Sequence, residues 1–276
     1  MLRLDAGARA VMSLGDAPVR VVNMHGTPRR DASALEAQLR WVGERFEVLH
    51  PETFLALLEG REPPVRRPAV MFTFDDGLAS NAEVAAPILE SLGMRALFFV
   101  NPAFAQTSGP EARRFFTARV RPVPDPCALA SEDVEPMDPH TLRELRRRGH
   151  MIGNHTYTHE DLRRVSGGSL DNEVRGSRNT LSSWLGEPVE CFAWTFAWNA
   201  ITVEAWALAL RTHRYCFTAC PGMFGHSRGC VWRTNTESSL SPHEYPFFYS
   251  GLADGIWWPQ RRRLAKLHAC LPWSDA

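Results

Sequence analysis

The feature that most constrains this chain is a repeated alternation of short apolar runs with stretches of helical periodicity. Val19-Arg20-Val21-Val22-Asn23-Met24 reads as a strand, and Ser33 to Phe46 as a helix with Leu35, Leu39, Val42 and Phe46 on one stripe. Further strands are predicted at Val70 to Phe74, Arg95 to Val100, His150 to Asn154, Glu190 to Thr195 and Arg214 to Ala219. Helices are predicted between them over 51–60, 81–92, 139–148, 170–185 and 202–210, with Gly93, Gly149 and Gly186 as stops. Such alternation implies an α/β fold with a mostly parallel sheet, open or closed into a barrel, because each parallel connection needs a crossover. Residues 101–139 break the rhythm with prolines and few periodic apolar positions, and are expected to form an inserted loop region, a lid or groove wall. One domain over 1–276, with that insertion and a C-terminal extension from about 221 to 276, is the simplest account.

Bulk properties narrow the function classes. Of 276 residues, 44% are hydrophobic and 22% charged, which suits a folded chain with a sizeable core. Thirty-one basic residues balance thirty-one acidic ones, so no global field draws the chain to nucleic acid or an anionic membrane. The runs Arg146-Arg147-Arg148 and Arg261-Arg262-Arg263 read as solvated helix faces. No stretch is apolar for the ~18–20 residues that a membrane span needs. The first twenty residues lack an apolar segment after a basic start, so no secretory signal is expected and a cytoplasmic protein is the default. The cysteines form no CxxC pair, and Cys216 and Cys220, in YCFTAC, read as small apolar strand residues rather than metal ligands.

Two stretches carry chemistry. F-T-F-D-D-G (Phe72 to Gly77) sets two carboxylates, Asp75 and Asp76, at the end of an apolar strand. N-H-T-Y-T-H (Asn154 to His159) follows another strand and sets His155 and His159 four residues apart, close enough to reach one ion. In parallel α/β folds the loops at the C-terminal strand ends converge on one face, so both stretches are expected at one mouth. Two imidazoles and a carboxylate with open positions make a catalytic divalent-metal pattern. Successive strand residues point to opposite sides, so the two aspartates can divide the work between ligand and general base. A bound cation lowers the pKa of its water towards about 7, and a nearby carboxylate can then take the proton. Gly77 would let the chain turn sharply past the ion.

These residues resemble the polysaccharide deacetylase family, the NodB-type carbohydrate esterases. Thr73-Phe74-Asp75-Asp76-Gly77 matches the first family motif and His155-Thr156-Tyr157-Thr158-His159 the second, with similar element order over roughly 18–220. The resemblance implies a distorted, incomplete (β/α) barrel of the NodB-homology type and metal-dependent removal of N-acetyl groups from amino sugars. It implies Asp75 as catalytic base and Asp76, His155 and His159 as ligands to a divalent metal, zinc first, with cobalt, nickel, iron or manganese as alternatives. His25, in VVNMHGT, stands where many relatives carry a Tyr-His pair, with Met24 in place of the aromatic, and is read as either a site-wall residue or a plain strand-end histidine.

The chain also departs from that pattern. Phe192-Ala193-Trp194-Thr195-Phe196-Ala197-Trp198 stands where the third motif carries Arg, Pro and Gly. Asp75 is therefore expected to lack its usual Arg partner, which leaves its pKa less constrained. The N–H of Phe196 is the candidate oxyanion donor. Trp194, Phe196 and Trp198 are expected on one face, either stacking a sugar or packing the core. No late Leu-x-His motif is evident; His226 and His243 read as surface residues, Arg233 resembles the Arg of a late family strand only loosely, and Trp257 and Trp258 read as packing. The leading expectation is an N-acyl amino-sugar amide hydrolase. A deformylase, a hydrolase of a non-sugar amide, and a catalytically silent carbohydrate-binding relative are the alternatives.

Overall fold

The computed structural model describes residues 17–123, 125, 129–196, 201–223 and 226–269. The strands are β1 (Val19–Met24), β2 (Glu47–Val48), β3 (Ala69–Phe74), β4 (Ala96–Val100), β5 (Met151–Asn154), β6 (Cys191–Ala193), β7 (Tyr215–Phe217) and β8 (Arg233–Asn235). Every ladder between them is parallel. Their order is β7-β6-β5-β4-β3-β1-β8, with the short β2 alongside the start of β3. Val231 bridges to Phe217 of β7, while Arg233 to Asn235 pair with β1. The stretch 231–235 thus touches both ends of the sheet and rolls it into a distorted, nearly closed barrel with helices outside.

Period-two alternation sorts the strand residues into two sets. Val21, Met71, Leu97, Phe99, Cys191, Ala193, Tyr215, Phe217 and Val231 pack together in one core cluster. Their neighbours Val22, Met24, Phe72, Phe74, Phe98, Val100 and Ile152 pack with helical Leu35, Leu39, Val42, Leu142 and Leu181 in another. β1, β3 and β4 are buried on both faces, which is why they read as continuous apolar runs. The first set shares its parity with Asn23, Thr73 and Arg233. Near the C-terminal strand ends this row turns from apolar to polar.

The helices fall where periodicity and stops predict them. Ala32–Arg45, Pro51–Leu58, Pro139–Arg147 and Val203–Thr212 are helical, and Gly186 ends Ser177–Leu185 in the left-handed conformation at φ 73°. Asp138 and Thr202 cap their helices by accepting from Thr141 N and Ala205 N. Two expectations change. Residues 101–139 contain the helices Pro102–Ala105 and Gly109–Phe115, held by Phe104 stacked on Phe115 at 5.2 Å, rather than a bare loop. β6 ends at Ala193 instead of Thr195, because Thr195 Oγ1 donates to Glu160 O and Phe196 turns to φ 59°. Strand alternation therefore does not govern Trp194 and Phe196, and Trp198 lies outside the described residues.

The C-terminal stretch is fastened to β1 by charge. Arg20, 1% exposed, donates to Asp254 at 2.9 Å and to the Thr234 hydroxyl. Removing one member of a buried ion pair leaves the other charge without compensation. Asp254→Ala is therefore expected to cost about 3 kcal/mol, read as a lower urea midpoint at unchanged slope.

Candidate metal centre

The site is built where β3 and β5 end. Asp76 and Gly77 both take φ 73°, so the chain reverses within two residues. A Cβ on Gly77 would meet Val100 Cγ1 at 3.0 Å, which leaves no room for a side chain there. After β5, Thr156 (φ 66°) and His159 (φ 57°) are also left-handed. That conformation costs a non-glycine residue roughly 1–2 kcal/mol, so the surroundings must hold it. Glu173 does so from one side: one carboxylate oxygen accepts from Tyr157 N (3.0 Å) and Thr158 N (2.9 Å), the other from Thr158 Oγ1 (2.8 Å). Asn101 donates from the other side to the carbonyls of His155 and Thr156.

Three buried ligand atoms face one another. Asp76 Oδ1 lies 3.5 Å from His155 Nε2 and 3.3 Å from His159 Nε2. Each ring is oriented through its other nitrogen, with Nδ1 of His155 donating to Ala193 O (3.0 Å) and Nδ1 of His159 to Arg119 O (2.9 Å). A carbonyl can only accept, so Nδ1 carries a proton in each ring, and in the neutral imidazole each Nε2 presents its lone pair toward the carboxylate. With both imidazoles neutral, three acceptor atoms converge in a buried space and could hold a cation. Burial alone would raise the Asp76 carboxyl, but His155 and His159 hold it well below the usual carboxylate range. Burial would lower His159, and Asp76 overrides it and raises the imidazole. Two nitrogens and one oxygen with an open side suit a divalent first-row cation, zinc among them.

Asp75 stands beside this triad, its Oδ2 3.8 Å from His155 Nε2. The expectation that it lacks an arginine is wrong. Arg233, with no exposed surface, donates from Nη1 to Oδ1 (2.7 Å) and from Nη2 to Oδ2 (3.0 Å). Asn23 Nδ2 adds a donor at 3.0 Å. Arg233 is held in turn by Thr218 O (3.1 Å) and Asn23 Oδ1 (3.0 Å), and its guanidinium lies over the Phe99 ring at 5.2 Å. Burial would raise the Asp75 carboxyl, but Arg233 and then His155 bring it below its ordinary value. The arginine comes from β8, far in sequence from the loop after β6 that lacks one.

A cavity of about 340 Å³ opens over these groups. It is lined by His25, Asp75, Asp76, His155, His159, Trp194 and Phe196, each a candidate from the sequence. Asn23, Val120, Ala219, Asn235 and Trp257 complete the wall. Trp194 is 2% exposed and stacks on Trp206 at 5.5 Å, so it is chiefly a core residue that shows one edge to the cavity. Phe196 is 44% exposed and sets its ring edge-to-face on His159 at 5.0 Å. Trp257, expected only to pack, both packs on the core and lines the cavity. His243 is exposed, while His226, expected at the surface, is half-buried against Val19 and Phe54 in a separate cavity at the other end of the strands. Cys216 and Cys220 are buried free thiols, and burial pushes Cys220 up to about 11.

Comparisons with known proteins agree with this fold. The sequence model described as polysaccharide deacetylase aligns with residues 62–210, which contain both motifs. No curated protein matches the chain. A Streptococcus pyogenes deacetylase, PplD, solved in complex with acetate, superposes with TM-score 0.65 at 17% identity over 85% of this chain and 99% of that one. IcaB from Ammonifex degensii gives 0.61 at 18% identity over 87% and 98%, and a de-N-acetylase from Aggregatibacter actinomycetemcomitans 0.63 at 15% over 84% and 99%. At such identities these structures speak for a common fold. The family model spans more than half of the chain, and by that match the chain belongs to the polysaccharide deacetylase family.

Proposed function

We propose that the chain is a metal-dependent amide hydrolase that removes an N-acyl group, in the first place N-acetyl, from an amino sugar. One observation carries the reading: a second buried carboxylate, Asp75, is held ionised by Arg233 beside three converging ligand atoms. A pure binding site has no use for that second carboxylate. Two absences favoured a silent binder, that of an arginine on Asp75 and that of an acid histidine in a late motif, and Arg233 answers the first.

Asp76, His155 and His159 would hold the cation. When bound, it supplies Lewis-acid polarisation of the acyl oxygen and a lower pKa for the attacking water. Asp75 takes the proton from water as its oxygen attacks the carbonyl carbon. Because Arg233 and Asn23 occupy donor positions on both carboxylate oxygens, Asp75 is fixed in direction as well as charge. The peptide N–H of Phe196 is the proposed donor to the oxyanion. The C–N bond then breaks, and the nitrogen takes a proton as the amine leaves. Among the described residues, His25 is the cavity's imidazole outside the triad, and we assign it that delivery. The exposed ring of Phe196 and the half-buried Trp257 offer apolar faces for the C–H face of a sugar.

Release of free acetate, against formate, from small N-acyl amino sugars by the metal-loaded protein tests the reading; formate alone would make it a deformylase, and neither product would overturn it. Asp75→Asn is expected to retain metal while kcat falls by about 100-fold or more, whereas His155→Ala loses metal and activity together. Wild-type turnover in Asp75→Asn would refute its role as base.

The pH response follows from the charges. Arg233 holds Asp75 low, so Arg233→Met raises that carboxyl; the acid limb of kcat moves to higher pH, and kcat falls by about 10-fold or more. His159 is raised by Asp76, and its proton sits where the cation would bind. Metal affinity is therefore expected to fall as pH drops through that raised value, measurable by equilibrium dialysis.

A further inference from the structure

The cavity over Asp76, His155 and His159 has one polar wall residue that the assigned chemistry leaves unused. Asn235 ends β8, is exposed, and lines the cavity. Its Cα pairs with that of Asn23 in the parallel ladder, so the two side chains stand side by side in the row that also carries Arg233. A hydrogen bond of 3.2 Å from Asn23 Nδ2 to Asn235 Oδ1 joins them.

The direction of each amide is settled by its neighbours. Arg233 Nη1 can only donate, so the atom of Asn23 that it meets at 3.0 Å is the oxygen. Asn23 Nδ2 then faces Asp75 Oδ2 at 3.0 Å and Asn235 Oδ1, which uses both of its N–H groups. Asn235 therefore turns its oxygen to Asn23 and keeps Nδ2, whose two N–H donors meet no acceptor among the described residues.

The rest of the wall indicates what such donors suit. Val120, Phe196 and Trp257 give it apolar surface, and no lysine or arginine is among its described residues. A phosphate or carboxylate group would find no cationic side chain there. A ring with a hydrocarbon face and a hydroxyl-bearing edge would find both an apolar wall and a donor. An exposed amide can exchange its water for a substrate hydroxyl without leaving a buried donor unpaired.

We propose that Asn235 orients the substrate, its Nδ2 donating to a hydroxyl oxygen of the amino-sugar ring while its own oxygen stays on Asn23. This role rests on the amino-sugar reading above, and it favours a hydroxylated ring over other N-acyl amines. Because Asn23 also holds Asp75, one run of amides fixes the proposed base and the edge of the substrate beside it.

The test is binding of methyl N-acetylglucosaminide and its 3-, 4- and 6-deoxy analogues to the zinc-loaded protein. Stopped-flow quenching of tryptophan fluorescence reads it before turnover, since Trp194 and Trp257 line the cavity. One deoxy analogue should bind the wild type about five- to tenfold more weakly than the parent, and Asn235→Ala should bind the two alike. Asn235→Asp keeps the oxygen that Asn23 meets and loses the N–H donors, so it should weaken binding of the parent by about fivefold or more. Both variants should keep the thermal midpoint of the wild type. In steady-state acetate release the loss in Asn235→Ala falls on KM, and the acid limb of kcat stays in place. No binding, or equal binding of all four ligands by the wild type, overturns the proposal, as does a deoxy penalty undiminished in Asn235→Ala. A shifted acid limb with unchanged binding also overturns it, because Asn235 would then act on Asp75 through Asn23 alone. If the wild type shows the Asn235-dependent hydroxyl preference and releases no acetate, the reaction assigned above fails while this contact stands.

Discussion

A guanidinium with no exposed surface can sit at the C-terminal strand ends of this barrel only because carboxylate, carbonyl and amide oxygens meet it there. Arg233 forks onto Asp75, reaches Asn23 and Thr218, and lies over Phe99. Its strand also completes the ring, pairing with β1 while Val231 bridges to β7. Closing the barrel and holding the proposed base in its charged form are therefore one structural event. Losing the contact would leave Asp75 buried without compensation, where an ionised carboxyl is strongly disfavoured.

The triad beside it works on the opposite charge. Backbone carbonyls fix both histidine rings so that each Nε2 faces a carboxylate, and the proposed metal would compete with a proton for the space between them. The left-handed residues Asp76, Thr156 and His159 are the local cost of that convergence. Glu173 and Asn101 offset it by clamping the loop through its backbone, so the ligand geometry depends on two residues that touch no ligand atom.

Much of this was legible in the chain. The apolar runs for β1, β3 and β4 are nearly the strands themselves, because strands buried on both faces carry uninterrupted hydrophobicity. Asp76, His155 and His159 could be grouped because each follows a strand, and parallel topology sends all such ends to one mouth. β8 was not legible from periodicity: Arg233, Thr234 and Asn235 are polar and become a strand only through their neighbours. Glu173 lies within a helical stretch with nothing in its spacing to mark it. Trp194 and Phe196 were expected on one face, but the chain leaves the sheet after Ala193, so one packs in the core and the other stands at the rim.

By itself, then, the sequence determined the parallel α/β architecture and the grouping of Asp76, His155 and His159 at one mouth. Those depend on local hydrophobic periodicity and on motifs whose members lie a few residues apart. Which arginine partners Asp75, and which aromatic residues reach the cavity, was decided by tertiary structure alone. The pairs involved are 158 residues apart for Arg233 and Asp75, and 234 for Arg20 and Asp254, the ion pair that anchors the Trp257 segment. Contacts at that separation form only when the last strand closes the ring, and no local propensity records them.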